Sequence, residues 1–487
     1  MLIAVDQLRA DYFERFGAEF TGGLARLARE GAFFTEANLD YALAETAPGH
    51  ATMLSGRFPR SHGIYRNPEG VQDAQYPLLG GGDGVSPFRF RGSTLFDWMR
   101  ASDPRSRALS VSRKDRSAIL MVGRAPQHAY WYTRGRFTTS TYYRDTLPTW
   151  VAAFNARRIP QGMAGRAWEL LRGESTYAEP DSAAENWGRD VRFPHWLPGD
   201  ADVAADSFIR YPWIDELTLR FALEGTRALQ LGTGPQTDLL AISLSGTDYV
   251  GHRYGPFSRE AHDQVLRVDA ALGAFLDSLF TLRDASRVLI ALTADHGVLP
   301  AAPQADPHSH TRHVDLRPLV AGHARRLRAR GMAAGALQID FGMVFADAAA
   351  FRAAGIDRDS VARSITSELR GVSGILRADL RSDLGTADTL RDEIARKWLH
   401  TLPPDATVVA VATLEPNRFW PTADWVNHGT PHAYDTHVPM IFWGMPFARG
   451  RHPGPVRMTD IAPTLAMALG IQPTEPVDGR VLPSAFR

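Results

Sequence analysis

No cysteine occurs among the 487 residues. Disulfides, thiolate metal sites and cysteine nucleophiles are therefore excluded, and any metal must be held by Asp, Glu and the 16 His. Lysine is almost as scarce, since all but Lys114 and Lys397 of the 54 basic residues are Arg. Net charge is missing too, because 54 acidic residues balance the 54 basic ones. A balanced chain has no electrostatic footprint for nucleic acid or for an anionic membrane surface. No apolar run approaches the roughly 20 residues that a bilayer crossing needs, so no membrane span is expected. Internal repeats and low-complexity tracts are also absent. What remains is ordinary globular composition, 44% hydrophobic and 22% charged, long enough for one large α/β domain with insertions.

The chain opens with MLIAVDQLR, a buried-strand pattern that ends in an acid. No targeting signal is visible in this chain. A core strand beginning at residue 1 leaves open that a leader or a few strand residues were trimmed from a longer precursor. Similar apolar runs occur at Leu2–Val5, Ala108–Val111, Asp238–Leu244, Arg287–Thr293, Val408–Thr413 and Met440–Trp443. Continuous runs of this kind suit strands covered on both faces of a parallel sheet. Helical patterns lie between them, at Gly22–Glu30, Pro48–Ser55, Ser207–Leu231, Ser258–Phe280, Asp357–Leu369 and Asp460–Leu469. The alternation predicts a doubly wound, mostly parallel α/β sheet with helices on both faces. In such a fold, ligands gather beyond the carboxyl ends of the strands.

Three stretches read as insertions into a single catalytic domain spanning 1–487: about 66–92, rich in Gly and Pro; about 124–205, rich in Trp, Tyr and Arg; and about 300–430. They are candidates for a cap that shapes substrate choice. Tyr130, Trp131, Tyr132, Trp187 and Trp196 are expected to pack on one another rather than on a ligand. The DPHSHTRH run (His308, His310, His313) is expected to be an exposed loop.

The residues suited to chemistry cluster at strand and helix ends. Asp6 closes the first run. Thr46, in Glu45-Thr46-Ala47-Pro48-Gly49-His50, stands at a helix start, where free amide groups and the helix dipole favour an anion. Asp248 and His252 follow DLLAISL at a spacing that puts both on one side of a helical turn. Asp295 and His296 follow RVLIALT, and His437 precedes the last run. An Asp/His ligand set with a hydroxyl suits Zn²⁺ ahead of Mn²⁺ or Fe²⁺, and this many ligands suit two ions rather than one.

With Asp6, TAPGHA, D-x-x-x-H, DHG and a late His in that order, the chain resembles the alkaline phosphatase superfamily. The resemblance is greatest to bacterial alkaline phosphatases with a threonine nucleophile, near the type I phosphodiesterase/nucleotide pyrophosphatase branch. It rests on VDQLRADY, TAPGHATMLSGRFPRSHGI, SRKDRSAIL, HGTPHAYDTHVPMIFWG, DIAPTLA and DGR, and covers nearly the whole chain. It implies hydrolysis of small-molecule phosphate monoesters through a phospho-Thr46 intermediate at a two-zinc site, in a periplasmic or secreted protein. Asp6, Thr46, Asp295 and His296 would hold one zinc, and Asp248, His252 and His437 the other. Asn67 would bind a phosphoryl oxygen, and Lys114 with Arg116 would mark the monoesterase subgroup. His50 and His62 are expected beside the site, as structural residues.

The rival on the same fold is a phosphodiesterase or nucleotide pyrophosphatase, against which Lys114 and Arg116 argue, because a diester has one fewer charged oxygen to neutralise. A sulfatase is disfavoured by the absence of Cys and of an S-x-P-x-R motif. The rival from another class is a non-catalytic metal- or phosphate-binding module.

Overall fold

The structure, a computed structural model, describes residues 1–68, 70–181, 192–300, 313–421 and 426–487. In chain order the strands are β1 (Leu2–Val5), β2 (Ala32–Asn38), β3 (Ala108–Ser112), β4 (His128–Thr133), β5 (Arg136–Thr138), β6 (Ala167–Trp168), β7 (His195–Trp196), β8 (Leu239–Leu244), β9 (Ile290–Thr293), β10 (Leu337–Asp340), β11 (Met343–Ala346), β12 (Ile375–Leu380), β13 (Val408–Leu414), β14 (His437–Trp443) and β15 (Gly450–Arg457).

Nine of them form one sheet in the order β15-β2-β14-β9-β1-β8-β3-β4-β5. Its centre is parallel: β9, β1, β8, β3 and β4 run the same way. Every residue of β1, β3, β8 and β9 is buried, so both faces are covered, as their unbroken apolar runs require. The edges differ from the all-parallel expectation. The run at Met440–Trp443 lies in β14, antiparallel to both β9 and β2, and β5 is antiparallel to β4. β15, an outer strand carrying Pro453 and Pro455, pairs with β2 on one side only, which tolerates the missing donors. Helices fill the connections, among them Gly23–Glu30, Thr46–Ser55, Trp213–Ala228, Arg259–Leu282 and Ile461–Ala468. Among the described residues no helix is long and apolar enough to cross a membrane.

The run at Val408–Thr413 belongs elsewhere. It forms β13 of a separate antiparallel sheet, ordered β10-β11-β13-β12, whose own core contains Val344, Ile365, Leu369, Ala410 and Ala412. A continuous apolar run fits a central strand of either sheet, so the run alone does not choose between them. Arg66 crosses from the large sheet's side to this small one: its Nη1 lies 2.8 Å from Asp340 Oδ2, and its guanidinium sits 4.4 Å over the Phe345 ring.

Candidate metal-binding active site

Four neighbouring parallel strands deliver the polar groups. Across the sheet in the order β9, β1, β8, β3, their carboxyl ends lead directly to Asp295 and His296, to Asp6, to Asp248 and His252, and to Lys114. Strand-end positions of this kind lie beyond the hydrogen-bonded ladder, where side chains can leave the sheet and converge. Asp6, Asp295 and His296 are fully buried, Lys114 and Asp248 nearly so.

Thr46 enters from the other side as the first residue of the helix Thr46–Ser55, all of whose residues are buried. Gly49 allows the approach. A Cβ there would stand 2.5 Å from both the Cβ and the carbonyl oxygen of Asp295, so this helix can lie against the Asp295 backbone only with glycine at that point. Thr46 Oγ1 then lies 3.3 Å from Lys114 Nζ and 3.5 Å from His296 Nε2. Lys114 Nζ is also 2.6 Å from Asp6 Oδ2 and 2.6 Å from Asp248 Oδ2.

The imidazoles are oriented from behind. Nδ1 of His296 donates to Gly297 O at 2.9 Å, Nδ1 of His252 to Val426 O at 2.6 Å, and Nδ1 of His428 to Ala44 O at 2.7 Å. Each ring thereby presents Nε2 to the carboxylates, with His296 Nε2 3.5 Å from both Asp6 Oδ1 and Asp295 Oδ2, His252 Nε2 3.3 Å from Asp248 Oδ1, and His428 Nε2 4.0 Å from the same oxygen. Backbone carbonyls that fix the tautomer and leave Nε2 as the acceptor are the usual support of metal-binding histidines. Burial holds His296 below the ordinary imidazole range and His428 well below it, a shift toward the neutral form in which an imidazole ligates.

The carboxylates complete the donor set. Burial, together with the charges of Asp248 and Asp295, pushes Asp6 well above the usual carboxylate range, against which the Lys114 ammonium beside Oδ2 works. Burial opposes ionisation of Asp248 and Asp295 as well. Lys114 and His252 outweigh it at Asp248, and His296 and His50 outweigh it at Asp295, so both are held low. Three carboxylates facing one ammonium leave an excess of negative charge, and an oxygen-and-imidazole donor set of this kind fits divalent cations. Among the described residues, two groups have ligand atoms all within 4.8 Å of one another, namely Asp248 with His252 and His428, and Asp6 with Asp248 and His296.

His437 is not among them, which corrects its assignment as a ligand. It begins β14 opposite Asn38 of β2, and its Nε2 donates to Thr35 O at 2.7 Å, so that nitrogen is spent on the strand pair. The histidine that reaches Asp248 is His428, at the start of the same HGTPHAYDTH segment. Three histidines share that loop without periodicity, so only the path of the backbone selects among them. A second residue the sequence did not flag is Gln7. In the left-handed conformation (φ 66), it donates from its backbone N–H to Asp295 Oδ1 and from Nε2 to Asp248 Oδ1, both at 3.1 Å.

Asn67 and Arg116 flank the nucleophile side. Asn67 Oδ1 accepts Ala47 N–H at 2.8 Å, next to Thr46. The Asn67 turn packs against the same helix, since a Cβ on Gly70 would stand 3.1 Å from Ala47 Cβ and 4.0 Å from Arg116 Cβ. Buried Nε of Arg116 has no hydrogen-bond partner among the described residues. His50 donates structural support, with Nδ1 2.9 Å from Thr46 O and 3.2 Å from Asp295 Oδ2. His62 sits further back, its Nε2 3.1 Å from Thr52 Oγ1. The aromatics expected in a cap divide, because β4 belongs to the large sheet. Tyr130, Trp131 and Tyr132 are buried, with Tyr130 edge-on to Trp150 and Phe221, whereas Trp196 is 63% exposed. His313 meets the Phe419 ring, while Trp187, His308 and His310 lie outside the described residues.

Comparison with known proteins identifies the family. Residues 1–383 match the family model for type I phosphodiesterase/nucleotide pyrophosphatase. The chain is 31% identical to the alkaline phosphatase PhoV of Synechococcus elongatus over 99% of its own length and 91% of that protein. It is 27% identical to the alkaline phosphatase PafA of Elizabethkingia meningoseptica, over 96% of this chain and 91% of that one. The crystal structure of wild-type PafA superposes with a TM-score of 0.89 at 26% identity, covering 100% of this chain and 98% of the other. Murine ectonucleotide pyrophosphatase/phosphodiesterase 5 shares the fold, with a TM-score of 0.55 at 14% identity over 98% and 96% of the two chains. The chain belongs to the type I phosphodiesterase/nucleotide pyrophosphatase family, within the alkaline phosphatase superfamily.

Proposed function

We propose that this protein is a metal-dependent phosphate monoester hydrolase, an alkaline phosphatase, that acts through a phospho-Thr46 intermediate with two zinc ions per chain. The observation that carries the reading is the Thr46 hydroxyl at a helix N-terminus, 3.3 Å from Lys114 Nζ and 3.5 Å from His296 Nε2, inside a nest of buried carboxylates. Asp6, Thr46, Asp295 and His296 would hold one zinc, and Asp248, His252 and His428 the other. Bound zinc supplies the positive charge that lowers the pKa of a coordinated hydroxyl and offsets charge on a departing oxygen.

The chain's own groups supply the rest. Thr46 Oγ1 gives up its proton to solvent and attacks phosphorus; the bond from phosphorus to the ester oxygen breaks as the Thr46 ester forms, and that oxygen takes a proton from solvent and leaves as the alcohol. Water then attacks phospho-Thr46, inorganic phosphate departs and the hydroxyl is restored. The Asn67 amide nitrogen would face an equatorial oxygen, and the dipole of the helix Thr46–Ser55 favours the anion at its N-terminus, while Ala47 N–H is held by Asn67 Oδ1 and Gly49 N–H by Glu45 O. Lys114 offers a point charge beside the attacking oxygen, and Arg116 a planar fork able to hold two oxygens. Positioning and charge, rather than covalent help, dominate phosphoryl transfer of this kind. Residues 66–92 and 300–430, with the part of 124–205 that follows β5, would act as cap segments on the one catalytic domain, since β4 and β5 themselves belong to the large sheet. A periplasmic or secreted location follows the bacterial alkaline phosphatases it is similar to.

The family model favours a second reading, a phosphodiesterase. A matched monoester and diester separate the two. The parent should prefer the monoester by several orders of magnitude in kcat/KM. Lys114→Ala or Arg116→Ala should each cost about 10²–10³-fold on the monoester and far less on the diester. A parent that prefers the diester overturns the reading.

A further inference from the structure

Glu45 stands directly before the nucleophile and has no part in the scheme above. It is 3% exposed and extended in backbone (φ −128°, ψ 163°), and its side chain caps no amide of the helix it precedes. An acid at a helix start ordinarily accepts from the helix's own free amides. Here the caps are exchanged between two segments. Glu45 Oε2 accepts the backbone N–H of Asn67 at 2.8 Å, while Asn67 Oδ1 accepts the N–H of Ala47 at 2.8 Å.

The exchange has a consequence for the Asn67 side chain. A backbone N–H can only donate, so the atom facing Ala47 is the amide oxygen, and the planar group must turn its NH₂ the other way. Two further ties hold the same turn, Arg66 to Asp340 at 2.8 Å and Gly70 N–H to Asn67 O at 2.9 Å. Neither of these reaches a neighbour of Thr46, whereas the exchanged pair runs to the residues bonded to Thr46 on either side, Glu45 holding the Asn67 backbone and Ala47 the Asn67 amide. The Glu45 tie thus links the backbone of the phosphoryl-binding turn to the nucleophile through one short covalent path.

We infer that Glu45 is a positioning residue that sets the place and orientation of the Asn67 amide relative to Thr46 Oγ1. The inference rests on the roles given to Thr46 and Asn67 under the proposed function. Positional errors of about an ångström at a reacting centre cost up to about 10²-fold in rate, so a lost tie should be visible in kcat.

The test is a mutant cycle on the zinc-loaded full chain with an aryl phosphate monoester, with melting temperature and zinc content measured for every variant. Asn67→Ala should lower kcat/KM about 10²-fold, and Glu45→Ala roughly 10–30-fold, mostly in kcat. Glu45→Gln, whose amide oxygen can still accept the Asn67 N–H, should stay within about threefold of the parent. The double variant Glu45→Ala/Asn67→Ala should match Asn67→Ala alone within about threefold, because Glu45 acts only through that amide. Glu45→Met keeps the length without the acceptor and carries the same cycle should Glu45→Ala fail to fold. Losses that multiply in the double variant, or a Glu45→Gln as damaged as Glu45→Ala, overturn the inference and leave the proposed function standing. A silent Asn67→Ala instead removes the Asn67 role, and the inference with it.

Discussion

At the carboxyl edge of the large sheet, Asp6, Asp248 and Asp295 lie buried around a single ammonium, Lys114. The small sheet closes over Val344, Ile365, Leu369 and Ala412, and its charged residues stay at its margins in ordinary pairs. Arg377, for example, lies 2.7 Å from Asp379 and 2.8 Å from Asp392, all three part-exposed. Part-exposed pairs of that kind contribute little, about 0–1 kcal/mol each. Buried carboxylates without matching partners cost stability, so a fold keeps them only where they serve something else. The contrast separates a region selected for chemistry from one selected for packing.

The sharpest way to break that contrast is Thr46→Ala. It should abolish acid-stable phosphorylation of the enzyme and lower kcat/KM on a monoester by at least about 10⁴-fold, with the melting temperature nearly unchanged. A variant within tenfold of the parent would remove Thr46 from the nucleophile role. Next in size is the histidine pair. His428→Ala should lose about 10²–10³-fold in activity and roughly one zinc per chain by metal analysis, whereas His437→Ala should stay within about threefold with its zinc intact. The reverse pattern would restore His437 as the ligand.

In the small sheet the outcome should invert. Ile365→Ala, fully buried, should cost roughly 2–5 kcal/mol in denaturant unfolding while kcat/KM of the folded protein changes less than threefold. A matched loss of activity would mean that the two sheets are not separable in this way.

The smallest expected effect is a pH dependence behind the nucleophile helix. Burial, with Arg57 nearby, lowers His62 to about 3. Its Nδ1 accepts Ile64 N–H at 3.1 Å, which leaves the proton on Nε2 facing Thr52. The folded pKa is below the unfolded one, so the unfolded state binds the proton first as pH falls below about 6.5. Stability present at pH 7 should therefore decline toward pH 3, with about 2 kcal/mol of the loss by pH 5 due to this group. His62→Gln should flatten that part of the urea-midpoint profile, and an unchanged slope would remove His62 as the cause.

Much of this was local information and therefore legible in the residues alone. The runs Leu2–Val5, Ala108–Val111, Asp238–Leu244 and Arg287–Thr293 are covered on both faces, so each is apolar throughout and marks its own strand. The polar residue where each run stops marks its carboxyl end. That is why Asp6, Asp248, His252, Asp295 and His296 could be picked out by position, and why Thr46 stood out beside Pro48 at a helix start. Three things depended on contacts between distant segments. Only the folded chain decided that β14 pairs antiparallel and that Val408–Thr413 joins a second sheet, because an apolar run records burial but not its partner. Only the path of the loop before β14 brought His428 Nε2 toward Asp248 and tied His437 Nε2 to Thr35 O, since three histidines in an irregular segment carry no periodicity to rank them. And only the packing of the Asn67 turn on the Thr46 helix exchanged the caps between Glu45 and Asn67, a pair 22 residues apart whose hydrogen bond has no signature in composition or spacing.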